Sequence, residues 1–272
     1  MKYNSDLHTH SSASDGQYTP SKLVELAQKR GIEVLAITDH DTTDGLAEAV
    51  QAGNALGVRV IQGIELSAKE YHTFHILGYN IESTAPKLAE LCQDMKTSRD
   101  ERSLRILAFL REQGIEISLP EVEELAGGSI VGRPHFAQVL TRRGFVASTR
   151  EAFDRYLDTE EFHQRIERSK PSVQTCIGAI KSAGGKASLA HPYQIGLSGE
   201  ALDCLVEQLA GYGLDAIECC YSKHTPEQHA FYLHLAEKYH LQVSGGSDFH
   251  GERVKPDVQL AAYPLELDWL SI

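Results

Sequence analysis

The stretch EVLAITDHD, residues 33–41, decides the fold. Glu33 to Thr38 is a short aliphatic run, the pattern of a strand covered on both faces. It ends abruptly in the polar tip Asp39-His40-Asp41. The same event recurs on either side. Upstream, Tyr3 to Thr9 reads as a strand running into His8-Thr9-His10. Downstream, Val58 to Leu66 carries Glu65 at its end, and TFHILGYNI (73–81) carries His75. Between these strands lie helical patterns. Thr19-Pro20-Ser21 opens one that runs through Arg30, with Leu23, Leu26 and Ala27 on one face and Gly31 beyond it; a second ends near Leu56, before Gly57.

The rhythm resumes late in the chain. Lys186 to Ala190 ends in His191-Pro192, Asp215 to Cys219 is a further strand, and Leu241 to Ser244 is followed by Ser247-Asp248-Phe249-His250. Helices are expected over Ser172–Ala183, Gly199–Tyr212 and Thr225–His240. Strands alternating with helices give an α/β fold with largely parallel pairing. From Thr84 to Lys170 no strand pattern occurs. A long helix spans Ala85–Gln113, and shorter ones lie near Pro120–Ala126, Pro134–Arg143 and Thr149–Leu157. Residues 84–170 are therefore read as a helical insertion (a cap) in a barrel domain made of 1–83 and 171–272.

Composition sets outer limits. Of 272 residues, 42% are apolar and 24% charged, which excludes a mostly disordered chain or a collagen-like repeat. No run nears the roughly 20 apolar residues of a membrane span. Met1 to Asp6 lacks the apolar run of a signal peptide, and the five cysteines form no Cys-x-x-Cys pair, so a cytoplasmic location without membrane contact is expected. The net charge of −12 disfavours bulk nucleic acid and anionic membranes. It does not exclude a small phosphorylated ligand held by metal ions, whose charge reverses the sign of a site locally. No obligate protein partner is evident.

The polar motifs fall at strand ends. In α/β barrels such ends converge on one mouth, so motifs distant in sequence meet there. His8 and His10 are two apart on an extended chain and point the same way, as do Asp248 and His250. Asp6 shares the face of His8 and is expected to orient one of the histidines. Asp15 lies in the loop just beyond. One histidine at a strand end is ordinarily a surface or capping residue; five separate strand ends doing the same are not. His8, His10, Asp15, His40, Glu65, His75, His191, Asp248 and His250 are too many ligands for one ion and enough for two or three. Nitrogen and carboxylate donors without cysteine suit Zn²⁺, Mn²⁺ or Fe²⁺. His72, His163, His229, His234 and His240 lack this context and are read as ordinary histidines.

In order along the chain, His8-x-His10, Thr38-Asp39-His40, Gly63-Ile64-Glu65, His75 within HILGY, His191-Pro192 and Ser247-Asp248-x-His250 resemble the motifs of the PHP (polymerase and histidinol phosphatase) family, from residue 6 to about 250. The resemblance implies a distorted (β/α)7 barrel, a trinuclear metal centre and phosphoesterase activity. It implies one ion held by His8, His10, Glu65 and Asp248, a second by Asp15, His40 and His250, and a third by Glu65, His75 and His191, with Glu65 bridging. Gly132-Arg133-Pro134-His135, set in a helical insertion, resembles the subgroup of 3′,5′-nucleoside bisphosphate phosphatases and 5′→3′ exoribonucleases of the ribonuclease AM type. A small phosphorylated nucleotide or a short 5′-phosphorylated RNA is then the expected substrate.

The residues agree on the anion. Pro134 suits a first helical turn, which puts Gly132 and Arg133 at a helix N-terminus, where backbone N–H groups favour anions. An arginine fork adds bidentate phosphate recognition. Arg99 and Arg102, one turn apart on the long helix, and His135 are further candidates for a substrate phosphate. The expected reaction is metal-assisted hydrolysis of a phosphate ester, with His191, His250 and Asp248 as the catalytic candidates. Histidinol-phosphate phosphatase is the alternative within this chemistry; a non-catalytic metal-binding regulatory module is the alternative outside it.

Overall fold

The computed structural model describes residues 1–127, 130–166 and 168–272. Its first compact unit comprises Met1–Cys92 and Pro171–Ile272. Eight strands, β1 (Lys2–Asp6), β2 (Val34–Ile37), β3 (Arg59–Ser67), β4 (His75–Tyr79), β5 (Lys186–Leu189), β6 (Ala216–Tyr221), β7 (Gln242–Gly246) and β8 (Tyr263–Glu266), form one sheet in the order β7-β6-β5-β4-β3-β2-β1-β8. The sheet curls almost into a barrel. The Leu7 amide, just past β1, donates to the Gly245 carbonyl in β7 at 3.1 Å, and Thr9 bridges Phe249 in parallel.

The pairing is parallel for β1–β2, β2–β3, β5–β6 and β6–β7. β4 is antiparallel to both neighbours, which distorts the barrel, with Glu65 opposite Leu77 and Ser67 opposite His75. β8, unforeseen in the sequence, is antiparallel to β1. It holds Pro264, which the sheet tolerates because β8 is an edge strand. Around the strands lie helices α1 (Pro20–Lys29) and α2 (Leu46–Leu56), with α8 (Val173–Ser182), α9 (Gly199–Gly211) and α10 (Pro226–Lys238) later in the chain. Their starts are chemically marked. Thr19 caps α1 by accepting from the Lys22 amide, and Thr225 and Gln228 close a reciprocal box at α10, each ahead of a proline in the first turn. Leu7, Val34, Ala36, Ile61, Leu77 and Ala190 form one cluster of the apolar core.

The second unit is Gln93–Lys170. It begins inside the long helix α3 (Pro86–Glu112) and holds α4 (Leu119–Ala126), α5 (Arg133–Arg142), α6 (Thr149–Ala152), which runs into a π-helical turn at Phe153–Leu157, and α7 (Glu160–Arg165). It has its own core, centred on Phe109, Leu110, Phe136, Leu140, Leu157 and Phe162. Among the described residues no helix is long and apolar enough to cross a membrane.

Candidate metal centre

Each polar tip is placed by the strand before it. Beyond β1 the chain stays extended, so His8 and His10 keep one face. It is stitched to the end of β7 by His10 N–H to Phe249 O (2.9 Å) and Asp248 N–H to His8 O (2.8 Å). Gly246 permits this closeness: a Cβ there would stand 2.3 Å from the His8 Cβ. Asp15 lies on the loop after His10. The Ser11 amide and the Ser11 and Ser14 hydroxyls fold that loop by donating to the Asp39 carboxylate at 2.6–2.7 Å. His40 follows β2 and bridges Glu65. Because β4 runs against its neighbours, its first residue, His75, emerges at the same end as their last ones. His191 follows β5, and Asp248 and His250 follow β7. His191 (φ 26°) and Asp248 (φ 57°) hold backbone conformations that non-glycine residues rarely adopt and that gather at functional sites.

All nine candidate ligands meet in this mouth. Glu65, fully buried, is at the centre. Its Oε2 lies 3.3 Å from His8 Nε2, 3.1 Å from His10 Nε2 and 3.1 Å from His40 Nδ1. Its Oε1 lies 2.9 Å from His75 Nδ1 and 3.0 Å from His191 Nε2. Asp248 Oδ1 faces His10 Nε2 at 3.4 Å and His250 Nδ1 at 3.3 Å. Its Oδ2 accepts from Tyr221 (3.0 Å) and Lys255 (2.7 Å). Asp15 Oδ1 is 3.3 Å from His250 Nε2. Four overlapping groups have the compactness of a metal site: His10, Asp15, His40 and His250; His8, Glu65 and His191; His8, His10 and Asp248; and His40, Glu65 and His75.

The residues fit cations on a further count. His8 Nε2, both ring nitrogens of His10, His40 Nδ1 and Glu65 Oε2 are buried without a hydrogen-bond partner. Buried polar atoms are nearly always satisfied, so so many converging lone pairs call for a ligand of positive charge. Without an ion the excess of negative charge falls on two of these rings: burial opposes a charged imidazole, yet Glu65, Glu218 and Asp248 hold His8 well above its usual range, and Asp248 and Glu65 push His10 up to about 9. Burial alone penalises an ionised Glu65, yet His40, His8 and His75 hold its carboxyl well below the usual range. Burial likewise opposes ionisation of Asp248, and His250, His8 and Lys255 outweigh it. Burial pushes the His40 imidazole down to about 3, which keeps its lone pair available.

Asp6 does not orient a histidine ring. Its carboxylate accepts from the backbone amides of Ser247 (2.8 Å), Ala261 (3.1 Å) and His8 (3.3 Å), because closing the barrel brings those amides to its face. The ring of His8 instead meets Glu218, a residue of β6 that sequence reasoning passed over: His8 Nδ1 lies 3.1 Å from Glu218 Oε1. The available signal was a lone carboxylate within the apolar strand Ala216-Ile217-Glu218-Cys219. His224 and His229 turn Nδ1 to the Cys219 carbonyl, at 3.0 and 2.9 Å, and His163 pairs with Asp158 at 2.9 Å.

The remaining candidates belong to the helical unit. Gly132 is the N-cap of α5, and its amide donates to His135 Nδ1 at 3.1 Å. Arg133 is half-buried and donates to Asp158 Oδ1 (2.5 Å) and Leu157 O (3.2 Å). Arg99 and Arg102 lie on α3. Burial pushes the Arg102 guanidinium down to about 10, and the charges of Arg133, Arg168, Arg99 and Arg105 push the same way. Arg102 thus lies within electrostatic reach of four other guanidinium groups.

A family model described as the PHP domain matches residues 6–167. A 5′-3′ exoribonuclease of Haemophilus influenzae is 35% identical over 90% of this chain and 89% of its own. A phosphoribosyl 1,2-cyclic phosphate 1,2-diphosphodiesterase of Eggerthella lenta is 37% identical (91% and 94%), and a 3′,5′-nucleoside bisphosphate phosphatase of Chromobacterium violaceum is 34% identical (91% and 87%). The solved structure of an amidohydrolase from Chromobacterium violaceum, with bound sulfate and no metal, superposes with a TM-score of 0.81 at 31% identity over 97% of this chain and 92% of that one. By the match to the family model, the likeness of these relatives along nearly the whole chain, and the barrel that carries the motifs, the chain belongs to the PHP family.

Proposed function

We propose that this protein is a metal-dependent phosphoesterase acting on nucleotide phosphate esters: a 3′,5′-nucleoside bisphosphate, the 5′ end of a short 5′-phosphorylated RNA, or both. The observation that carries the reading is the set of nine histidines and carboxylates with Glu65 at its centre. The arginines of the helical unit support a substrate with a second phosphate; one relative is named a 3′,5′-nucleoside bisphosphate phosphatase and another a 5′-3′ exoribonuclease.

We assign two to three divalent ions, Mn²⁺, Zn²⁺ or Fe²⁺, to the nine ligands. His8, His10, Glu65 and Asp248 hold one; Asp15, His40 and His250 another; Glu65, His75 and His191 a third. Such ions, when bound, lower the pKa of a water to near neutrality and offset charge on the phosphoryl oxygens. The rest is the chain's work. Glu65 serves both sides of the centre with separate oxygens. His191, His250 and Asp248 are assigned to the reacting phosphate; an imidazole that binds an ion has no lone pair to spare, so either histidine would exchange a proton with the attacking or leaving oxygen only while unligated. Arg133, His135, Arg99 and Arg102 are assigned to a phosphate that does not react. Free cysteines at all five positions suit a reducing compartment, which supports a cytoplasmic location.

Two measurements test this. Protein reconstituted with Mn²⁺ is expected to hold about two to three ions per chain by elemental analysis, as multinuclear phosphoesterase centres require; saturation at zero or one sinks the assignment. Phosphate and nucleotide release is then compared for a 3′,5′-bisphosphorylated nucleoside, a 5′-phosphorylated RNA trimer, a ribose 1,2-cyclic phosphate and histidinol phosphate. The first two should be cleaved best. A clear preference for either of the others moves the substrate class accordingly.

A further inference from the structure

We infer that Glu218 is a positioning residue of the metal centre, holding two ligands from two different strands in their working state; the inference rests on the metal-ligand reading above. Glu218 is fully buried in β6, between β5 and β7. Its Oε1 lies 3.1 Å from His8 Nδ1, and its Oε2 accepts the backbone N–H of His191 at 2.7 Å. Neither oxygen points at a member of the cluster through a metal-binding atom. Glu218 stands behind the ligands rather than among them.

The two contacts do different work. An ionised carboxylate only accepts, so His8 must present N–H at Nδ1. Once a cation displaces the proton at Nε2, the lone pair is left on that nitrogen, the atom aimed at Glu65 Oε2 and Asp248 Oδ1. At His191 the contact is to the main chain. This residue sits at φ 26° and ψ 64°, a conformation its own preferences oppose. Anchoring its amide where the strand ends directs the side chain so that Nε2 reaches Glu65 Oε1 at 3.0 Å. One carboxylate therefore sets a proton position in β1's extension and a backbone angle after β5.

Glu218→Gln is the discriminating variant. An amide accepts at one atom only, so whichever way it is set, one contact is lost. With its NH₂ toward His8, the imidazole must switch its proton to Nε2 and can no longer ligate there. With its NH₂ toward His191, two donors collide and the residue's backbone is released. Mn²⁺ affinity is measured by chelator competition on wild type, Glu218→Gln and Glu218→Asp, with ¹⁵N-imidazole NMR of the Zn²⁺-loaded proteins reporting the His8 tautomer and thermal melting reporting the fold. Loss of a group that orients a metal ligand typically weakens binding about 10- to 100-fold. Glu218→Gln is expected in that range, with Glu218→Asp in between. Wild-type Mn²⁺ affinity and an unchanged His8 tautomer in Glu218→Gln overturn the inference, as does a lowered melting temperature with metal affinity intact, which would make the residue merely structural. A wild type that binds no Mn²⁺ overturns the metal reading instead.

Discussion

Glu65→Ala should lower kcat/KM for any phosphate ester by at least about a thousandfold, some 4 kcal/mol of barrier, and should leave one metal ion per chain or none. The Glu65 carboxylate faces five imidazoles of the cluster with its two oxygens. Its Oε2 faces His8, His10 and His40, and its Oε1 faces His75 and His191. On the proposed assignment, the five imidazoles alone would bring no negative charge to offset neighbouring divalent ions, and no shared carboxylate would screen the repulsion between them. Glu65→Gln should fare little better, since one amide oxygen cannot serve both sides. The check pairs elemental analysis with initial rates, on protein whose circular dichroism is unchanged. A full metal complement with activity within tenfold of wild type would end the bridging role.

Arg133→Ala should reduce kcat/KM for a 3′,5′-bisphosphorylated nucleoside by about 10- to 150-fold, the worth of a charge-assisted hydrogen bond of roughly 1.5–3 kcal/mol. The guanidinium is already held. Asp158 and the Leu157 carbonyl accept from one nitrogen, and Phe153 lies beneath at 5.7 Å from its centroid. A fork fixed in this way loses little freedom on meeting a phosphate. Arg102, which feels the charges of Arg133, Arg168, Arg99 and Arg105, adds a positive charge that an anion would complement. Metal content should not change, because Arg133 belongs to the helical unit and none of the nine ligands does. The loss should shrink for a substrate with a single phosphate. Equal losses on both substrates would remove Arg133 from any second-phosphate role.

Much of this was legible in the sequence because it is local. The spacing of two at His8/His10 gives a shared face because the chain there is extended, whereas Asp248, at φ 57°, reaches the cluster with His250 by a turn that the same spacing does not foretell. Aliphatic runs such as Val34–Ile37 declare their strands. What was not legible depends on pairing. Asp6 has the right periodicity to serve His8, but β7 arrives with the Ser247 amide and takes its carboxylate. Glu218 reads as a strand residue like any other until β1 and β5 are laid on either side of the mouth. His75 falls at the start of β4, the wrong end for a parallel strand, and only the reversed direction of β4 makes it a neighbour of Glu65. β8, short and interrupted by Pro264, has no pattern of its own and exists because β1 offers it an edge.

The stitching of the His8–His10 segment to the end of β7 bears on biosynthesis. Translation delivers His8 and His10 first and Asp248 and His250 near the other end of the chain. A nascent chain on the ribosome therefore carries only part of the ligand set, and the segment that must close against β7 has nothing to close on. A chain ending before β7 would lack Asp248, His250 and the Phe249 carbonyl that receives the His10 amide, so its metal binding and hydrolysis are expected to fall together.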